Sequence, residues 1–404
     1  MKIVVLKFGG TSVGSTKRIK KVCKIILSYV KKKFSVVVVS SAMSGETNQL
    51  INRSKDITAF FDKSEYDVLV SAGEQISCAL ISGQLKNLGF NSMSFMGWQV
   101  PILTDSNHGN SKIIHVFKKN LIKFIKSGGI PIIAGFQGIN QKSRITTLGR
   151  GASDYTAIMI AKYLKAQKCV IYTDVKGVMT SDPKIYKKAK KIDQISYEEM
   201  LEMSSLGSKV MQSNSVQDAR LNRINIDVKS SFTKSNGTSI TKRANIKDNK
   251  IIRGISTTKN DAKVTIVGVN DKPGVAASIF EPLSKNNINV DMVVQNISAN
   301  KIDTDVTFTI KQEDQNKTLK LLKNNSKISY KKIILDDNVS KVSIVGVGMV
   351  TTPGVTYRMF KSLSRKNINI LVISTSEIKI SVLIKRNNLK KAVSALHKEF
   401  KLDK

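Results

Sequence analysis

Two hydrophobic periods alternate along the first half of this chain. Ile3 to Leu6 form an apolar, mostly β-branched run that ends in Lys7 and two glycines, Gly9 and Gly10. Such a run predicts a buried parallel strand. A helix is expected from Thr16 to Lys32, with Thr11 or Ser12 as its cap. VVVVSSAM (36–43), IPIIAGFQG (130–138), CVIYTDVKGV (169–178) and IDVKSSF (226–232) read as further buried strands. Each follows a stretch of helical periodicity, such as 156–164 ahead of the third. Over residues 1–232 this alternation predicts an α/β domain, its mostly parallel sheet covered on both faces.

The pattern changes at TKSNGTSITKRANIKDNK (233–250), which is polar, turn-rich and almost free of large apolar residues, and reads as a linker. An internal repeat follows. AKVTIVGVNDKPGVAASIFEPLSKNNINV (262–290) recurs as SKVSIVGVGMVTTPGVTYRMFKSLSRKNINI (340–370), with two extra residues in the second loop. Each copy predicts a strand, a loop ending in Pro-Gly, an amphipathic helix and a second strand. The first continues through DVTFTIK (305–311), a helix near 312–323 and a strand near 328–335, which is the ferredoxin-like βαββαβ order. The second continues with a strand over 378–385 and a helix over 388–400. It is one strand short, and IIRGIST (251–257) could supply it. The expected modules are 251–335 and 336–404, with 251–260 available to the second. Repeats of this kind need a partner surface, so paired modules are expected.

Composition changes the picture little. A chain of 404 residues has room for two or three domains, and 41 % hydrophobic with 24 % charged residues is ordinary for a soluble protein. No apolar run approaches the ~18 residues that a membrane span needs. No apolar h-region precedes Lys7. A cytoplasmic protein without a membrane partner is therefore expected. Cys23, Cys78 and Cys169 sit singly in apolar segments, as buried reduced thiols do. The net charge of +36 raises the question of nucleic acid. Yet the lysines are spread along the whole chain, with no Arg-rich tract, aromatic stacking motif or recognition helix. No nucleic-acid partner is expected.

Several residues are candidates for chemistry. Glycine amides and a helix N-terminus next to Lys7 would suit a phosphate group. A Walker loop, however, places its lysine after the glycines, and the dinucleotide fingerprint needs G-x-G-x-x-G. Taken alone, Lys7 fits a solvated strand end equally well. In TTLGRGASDYTA (146–157), Arg150 could hold a carboxylate bidentately, and Asp154 could hold Mg²⁺ or orient a lysine. The same residues also fit a plain helix cap with a surface arginine. Glu74 in SAGEQIS (71–77) follows a glycine and reads as capping chemistry before a helix. Asp182-Pro183 is on its own a turn. Lys209 reads as a lysine at a helix start, and His108 in SNHGNSKI as a loop hydrogen-bonder. None of the three histidines has a metal-site companion, so no metal site built from protein side chains is expected.

In order, KFGGTSV, SSAMSGETNQL, SAGEQIS, TDSNHGNSKI, AGFQGIN, TLGRGASDYTA, YTDVKGVMTSDP and GSKV resemble the motif series of aspartate kinases. The C-terminal repeat, with VVQNIS and STSEIKISVLI, resembles their pair of regulatory ACT domains. The resemblance spans nearly the whole chain and is to the short monofunctional kinases. It implies an amino-acid-kinase α/β/α sandwich followed by two ferredoxin-like modules. The implied reaction transfers the γ-phosphoryl group of ATP to the β-carboxylate of L-aspartate, the first step towards lysine, threonine and methionine. Mg²⁺ would arrive with the nucleotide. A carboxylate is already ionised at pH 7, so positioning and charge neutralisation should suffice.

The resemblance also assigns residues. Lys7 stabilises the phosphoryl group in flight and Asp154 organises the lysines and the metal-nucleotide. Ser41 and Thr47 fall on the substrate side, with Glu74 on the substrate ammonium and Arg150 on its α-carboxylate. Gly151, Ala152 and Ser153 share that segment. Phe8, Gly9, Gly10, Thr173, Asp174, Met179, Asp182, Lys184 and Lys209 fall on the nucleotide side. Lysine, threonine or both are the implied effectors. Their pockets match Asp271, Pro273, Gly274, Val275, Ala276, Asn289, Val290, Asp291 and Gln295 in the first copy. In the second they match Val355, Thr356, Asn369, Ile370, Ser376 and Glu377. Pairing of the modules across subunits implies a homodimer or larger homo-oligomer. Two departures stand out. Ala152 adds a methyl where the family has glycine, and Met179 replaces an aromatic common beside the adenine.

Overall fold

The apolar run Ile3–Leu6 is buried on both faces because its strand lies in the interior of a sheet. In the computed structural model, residues 1–149, 151–205, 210–243, 250–297 and 303–403 are described. They divide into two compact units.

The first unit opens with β1 (Ile3–Phe8), α1 (Thr16–Lys31), β2 (Ser35–Ser40), α2 (Glu46–Ile57) and α3 (Lys63–Asn87). There follow β3 (Ser92–Phe95), β4 (Ile102–Thr104), β5 (Ile113–Val116), α4 (Lys119–Lys126) and β6 (Ile130–Ala134). Next come β7 (Gln137–Ile139), β8 (Ile145–Thr147), α5 (Ser153–Tyr163) and β9 (Lys168–Thr173). The unit closes with β10 (Gln194–Ser196), α6 (Tyr197–Ser205), α7 (Ser213–Leu221), β11 (Ile226–Ser230) and β12 (Thr238–Thr241). Its main sheet has the order β10-β12-β11-β9-β1-β2-β6-β3. Every neighbouring pair is parallel except β11 and β12. A smaller sheet runs β5-β4-β7-β8.

α1 buries Ile19, Val22, Cys23 and Ile26, the i, i+3, i+4, i+7 stripe of an amphipathic helix, in one cluster with Val4, Leu6 and Phe8. Its cap is Ser15, whose hydroxyl accepts from the Arg18 amide, rather than Thr11 or Ser12. Ser12 is spent elsewhere, on the Ser231 hydroxyl at 2.7 Å. The three cysteines are free and buried. The strands expected over 36–43, 130–138 and 169–178 leave the main sheet after Ser40, Ala134 and Thr173, and their remaining residues form loops and the short strand β7. β12 lies inside 233–250, where the sequence reads as a linker. Only Thr238 and Ile240 of its four residues are buried, too little apolar pattern to mark a strand.

The second unit contains β13 (Gly254–Thr258), β14 (Asp261–Asn270), α8 (Val275–Lys285), β15 (Val290–Ile297), β16 (Asp303–Lys311), α9 (Gln315–Lys323) and β17 (Lys332–Asp336). It continues through β18 (Val339–Val345), α10 (Val355–Ser364), β19 (Ile370–Thr375), β20 (Lys379–Lys385) and α11 (Leu389–Glu399). Its sheets run β15-β16-β14-β17 and β13-β18-β20-β19. β13 stands beside β18 where β17 stands beside β14, so the strand missing from the second copy comes from ahead of the first. Residues 179–190, counted with the first domain on sequence grounds, belong to this unit. Ile255 N–H donates to Thr180 O at 2.7 Å, and Ile185 and Tyr186 pack on the core of the second sheet. No helix among the described residues is long and apolar enough to cross a membrane.

Candidate active site

From β1 the chain steps to β2 on one side, and later returns through β9 on the other. Ligands of open α/β sheets bind outside the carboxyl ends of strands at such a switch point. Lys7 lies there, paired in register with Val39 and Ile171. Alternation along β1 turns Lys7 away from Leu6 and Phe8. Its Nζ lies 2.7 Å from Asp154 Oδ1 in the first turn of α5. The N-terminal partial charge of α5 favours the carboxylate there.

After β1 the glycines divide the work. Gly9 N–H continues the ladder to Tyr172 O at 3.1 Å, so this amide is not open to a ligand as the sequence suggested. Gly10 and Thr11 N–H donate to no group among the described residues. A Cβ on Gly10 would stand 2.8 Å from Ala42 O, so the two loops meet only because position 10 has no side chain. Phe8 is fully buried and stacked on Tyr172 at 4.9 Å. It is a core residue, and its side chain does not belong to a nucleotide site.

A cavity of about 290 Å³ opens at this edge, lined among others by Gly10, Ser41, Ala42, Thr47, Glu74, Phe136, Gly151 and Ser153. Ser41, Thr47, Glu74, Gly151 and Ser153 are thus brought together from three parts of the chain. Ala152 is not in this lining. It is buried as the N-cap of α5, its carbonyl accepting from Thr156 N–H at 2.9 Å, so its methyl does not enter the cavity. Gly151 has φ +74°, and a Cβ there would strike the Gln212 side chain.

Glu74 lies inside α3, not ahead of a helix as the sequence suggested. The preceding Gly73 serves close packing, since a Cβ there would stand 2.8 Å from Ala42 Cβ. Glu74 is 4 % exposed. Its Oε1 accepts from Ala42 N–H at 3.0 Å, whereas Oε2 is buried with no hydrogen-bond partner. Burial pushes its carboxyl up to about 7, against the Ala42 amide and the charge of Lys7, which hold it down. Glu74 thus lines the cavity with a buried carboxyl whose second oxygen has no partner, chemistry that suits a cationic group.

Phe136 went unnoticed in the sequence. It lines the cavity at φ +68°, a conformation costly for a bulky residue, with its N–H held by Thr156 Oγ1 at 3.0 Å. The neighbouring Gly135 was the available signal, since a Cβ there would strike Ser153.

Thr173 ends β9 and Asp174 follows it, with the Thr173 hydroxyl donating to Asp174 Oδ1 at 3.0 Å. Met179, Asp182 and Lys184 lie in the second unit, where Asp182 Oδ1 accepts from Lys184 N–H at 2.8 Å in a turn. Arg150 and Lys209 lie outside the described residues. Among the described residues no group of three or more His, Cys, Asp or Glu is placed to hold a metal ion.

In the repeat, Gly274 (φ +89°) and Gly354 (φ +83°) cap α8 and α10. Asp271, Pro273, Ala276, Asn289, Gln295, Thr356, Asn369, Ser376 and Glu377 are exposed. Val275 and Val355 are instead core residues, and Val290 and Ile370 pack against the cores. The side chains of Val275, Val355 and Val290 serve packing, whereas Ile370 also lines a second cavity. Asp291 is ion-paired with the buried Lys341 of β18. Burial acts to raise its carboxyl, but the lysine holds it below the ordinary range.

Residues 2–230 match the amino acid kinase family, and 264–325 and 342–400 match the ACT domain. An aspartate kinase of Stutzerimonas stutzeri is 46 % identical over 405 residues, covering 100 % of this chain and 98 % of that one. The structure resembles Escherichia coli aspartokinase III in complex with aspartate and ADP (R-state), with TM-score 0.82, 26 % identity and coverage of 98 % and 99 % of the two chains. It resembles the same enzyme in complex with lysine and aspartate (T-state) with TM-score 0.79, 26 % identity and the same coverage. With a lysine–aspartate pair at the switch point of an amino-acid-kinase sheet, a buried carboxyl lining the adjoining cavity and two ferredoxin-like modules following in sequence, this chain belongs to the aspartate kinase family.

Proposed function

We propose that the cavity takes L-aspartate and that the chain transfers the γ-phosphoryl group of ATP to its β-carboxylate. The observation that carries this reading is Glu74, which lines the cavity and whose buried Oε2 has no hydrogen-bond partner. It fits the ammonium group of an amino acid. A β-carboxylate oxygen attacks the γ-phosphorus, the bond from that phosphorus to the β,γ-bridging oxygen breaks, and ADP leaves with the electron pair. No proton need be removed from the nucleophile, so Lys7 contributes positive charge where negative charge is transferred. Asp154 holds and aims the Lys7 ammonium. The free amides of Gly10 and Thr11 suit phosphate oxygens. Thr173 and Asp174 border the same edge on the nucleotide side.

Mg²⁺ supplies charge neutralisation when bound with the nucleotide. With Asp154 as the nearby carboxylate and no three-residue ligand set among the described residues, phosphate oxygens would hold most of it. Arg150 and Lys209 complete the proposal by motif alone.

Lysine, threonine or both act as effectors in this reading. It is supported by the ACT repeat and by the lysine complex of the E. coli relative. The exposed Asp271, Asn289, Gln295, Ser376 and Glu377 are the contacts we assign, in a homodimer joined through these modules. A cytoplasmic setting agrees with three free buried thiols and an ATP substrate.

The test is ADP release with Mg-ATP and a panel of amino acids. Turnover that requires L-aspartate and disappears in Lys7→Ala supports the reading. Equal turnover with glutamate or acetylglutamate, or full activity in Lys7→Ala, overturns it.

A further inference from the structure

Asp67 has no exposed surface and stands seven residues, two helical turns, before Glu74 on α3. Its carboxylate gathers donors from two other segments. The loop between β4 and β5 supplies His108 Nδ1 at 2.7 Å and the Gly109 N–H at 3.1 Å from each oxygen. The end of β8 supplies the Thr147 hydroxyl. Because the acceptor is a carboxylate, His108 carries a proton on Nδ1.

The same loop is tied to the end of β8 once more, and it lies close against Gly149. Ser111 N–H donates to Thr147 O at 2.9 Å, and Asn110 Oδ1 lies 2.9 Å from where a Cβ on Gly149 would be. Beyond Thr147, Leu148 N–H donates to Phe136 O at 2.9 Å, and the chain then reaches Gly151 and Ser153 in the cavity wall. Gly149 and Gly151 hold φ +83° and +74°, both beyond the end of the β8 ladder.

We infer that Asp67 and His108 are positioning residues for the amino-acid substrate, resting on the reading of the cavity as the aspartate site. They touch no residue of the reaction. They fix the β8–α5 segment at the depth where Gly151 and Ser153 close the cavity, and α3 sets that anchor and Glu74 from one helix. Misplacing a substrate wall by about 1 Å can cost up to ~10²-fold in kcat/KM.

The test is steady-state kinetics of the full chain with aspartate and ATP varied separately. In His108→Ala the KM for aspartate should rise about tenfold or more, with kcat and the KM for ATP within about twofold. His108→Asn, whose amide can donate to the same carboxylate, should return the KM for aspartate to within about threefold of the parent. If His108→Ala does not fold, Thr147→Val removes a donor from the other side at constant shape and should give the same split. An unchanged KM for aspartate, a fall in kcat with both KM values rising together, or no rescue by asparagine would overturn the inference. Glu74→Gln run in parallel separates the two levels. If it also leaves the KM for aspartate unchanged, the aspartate reading itself has failed.

Discussion

Lys7 Nζ lies 2.7 Å from Asp154 Oδ1, and the two side chains expose only 11 % and 9 % of their surface. The carboxylate holds the ammonium in place, in a setting where little water screens the pair. Lys7→Met should lower kcat by about 10³-fold or more, and Asp154→Asn by roughly 10²-fold. The double variant should fall short of the product of the two, because they act as one unit. Single-turnover rates at saturating substrates check this.

Glu74 titrates near 7 in the unliganded site because of burial. Only its ionised form attracts an ammonium group, so the KM for aspartate should rise about tenfold per pH unit below 7 and level off above it. In Glu74→Gln the KM should be high and flat across that range.

The same shift has a stability consequence of opposite sign. The folded-state value is raised from 4.5 to about 7, so the folded form binds the proton more tightly than the unfolded chain. That advantage is complete below 4.5 and is lost as pH rises through 7. Glu74→Gln should therefore stabilise the unliganded protein at pH 8, by on the order of 3 kcal/mol at most, and have little effect at pH 5. Urea unfolding at both pH values reads the difference.

Adjacent glycines should respond differently to alanine. Gly10→Ala drives a methyl to 2.8 Å from the Ala42 carbonyl, a backbone atom that cannot swing aside, and should displace the loop and abolish most activity. Gly9→Ala meets Lys7 Nζ only at 3.4 Å and should fold normally, crowding the ammonium and lowering kcat without changing the melting temperature by more than a few degrees. Kinetics and thermal melts of the pair check this.

In the second unit, buried Lys341 lies 3.6 Å from Asp261 and is also paired with Asp291. Lys341→Met should destabilise the protein by about 1–2 kcal/mol at pH 7, a modest figure because Asp291 is half exposed. Asp291 is held below its ordinary value of 3.8, so the stability it contributes is present above that value and lost as pH falls through the folded one. The gap between parent and variant should therefore narrow as pH falls below 3.8 in urea titrations.

Much of this molecule is legible in its residues because the signals are local. A continuous β-branched run at 3–6 can only be a strand covered on both faces. The Pro-Gly loops at 273–274 and 353–354 mark two copies of one unit, and IIRGIST was available as the extra strand that β13 proved to be. Where the local signal was thin, the sequence misled. Glycine before Glu74 suggested a helix start, but helix interiors admit glycine when a neighbour such as Ala42 must come close. Thr238–Thr241 looked like linker because a strand with two buried residues has no recognisable period.

The residue types of the site, a lysine ahead of glycines and acids beside small residues, are written in the chain. Their relations are not. Lys7 and Asp154 are 147 positions apart, and only the parallel packing of β1 with the helix ahead of β9 brings ammonium and carboxylate to 2.7 Å. The unmet oxygen of Glu74, the turn of Phe136 to positive φ and the carboxylate of Asp67 shared by His108 and Thr147 exist only once α3, β6 and β8 are in place. Burial, close approach and an unpaired lone pair are properties of several chain segments together, and no window of sequence contains them.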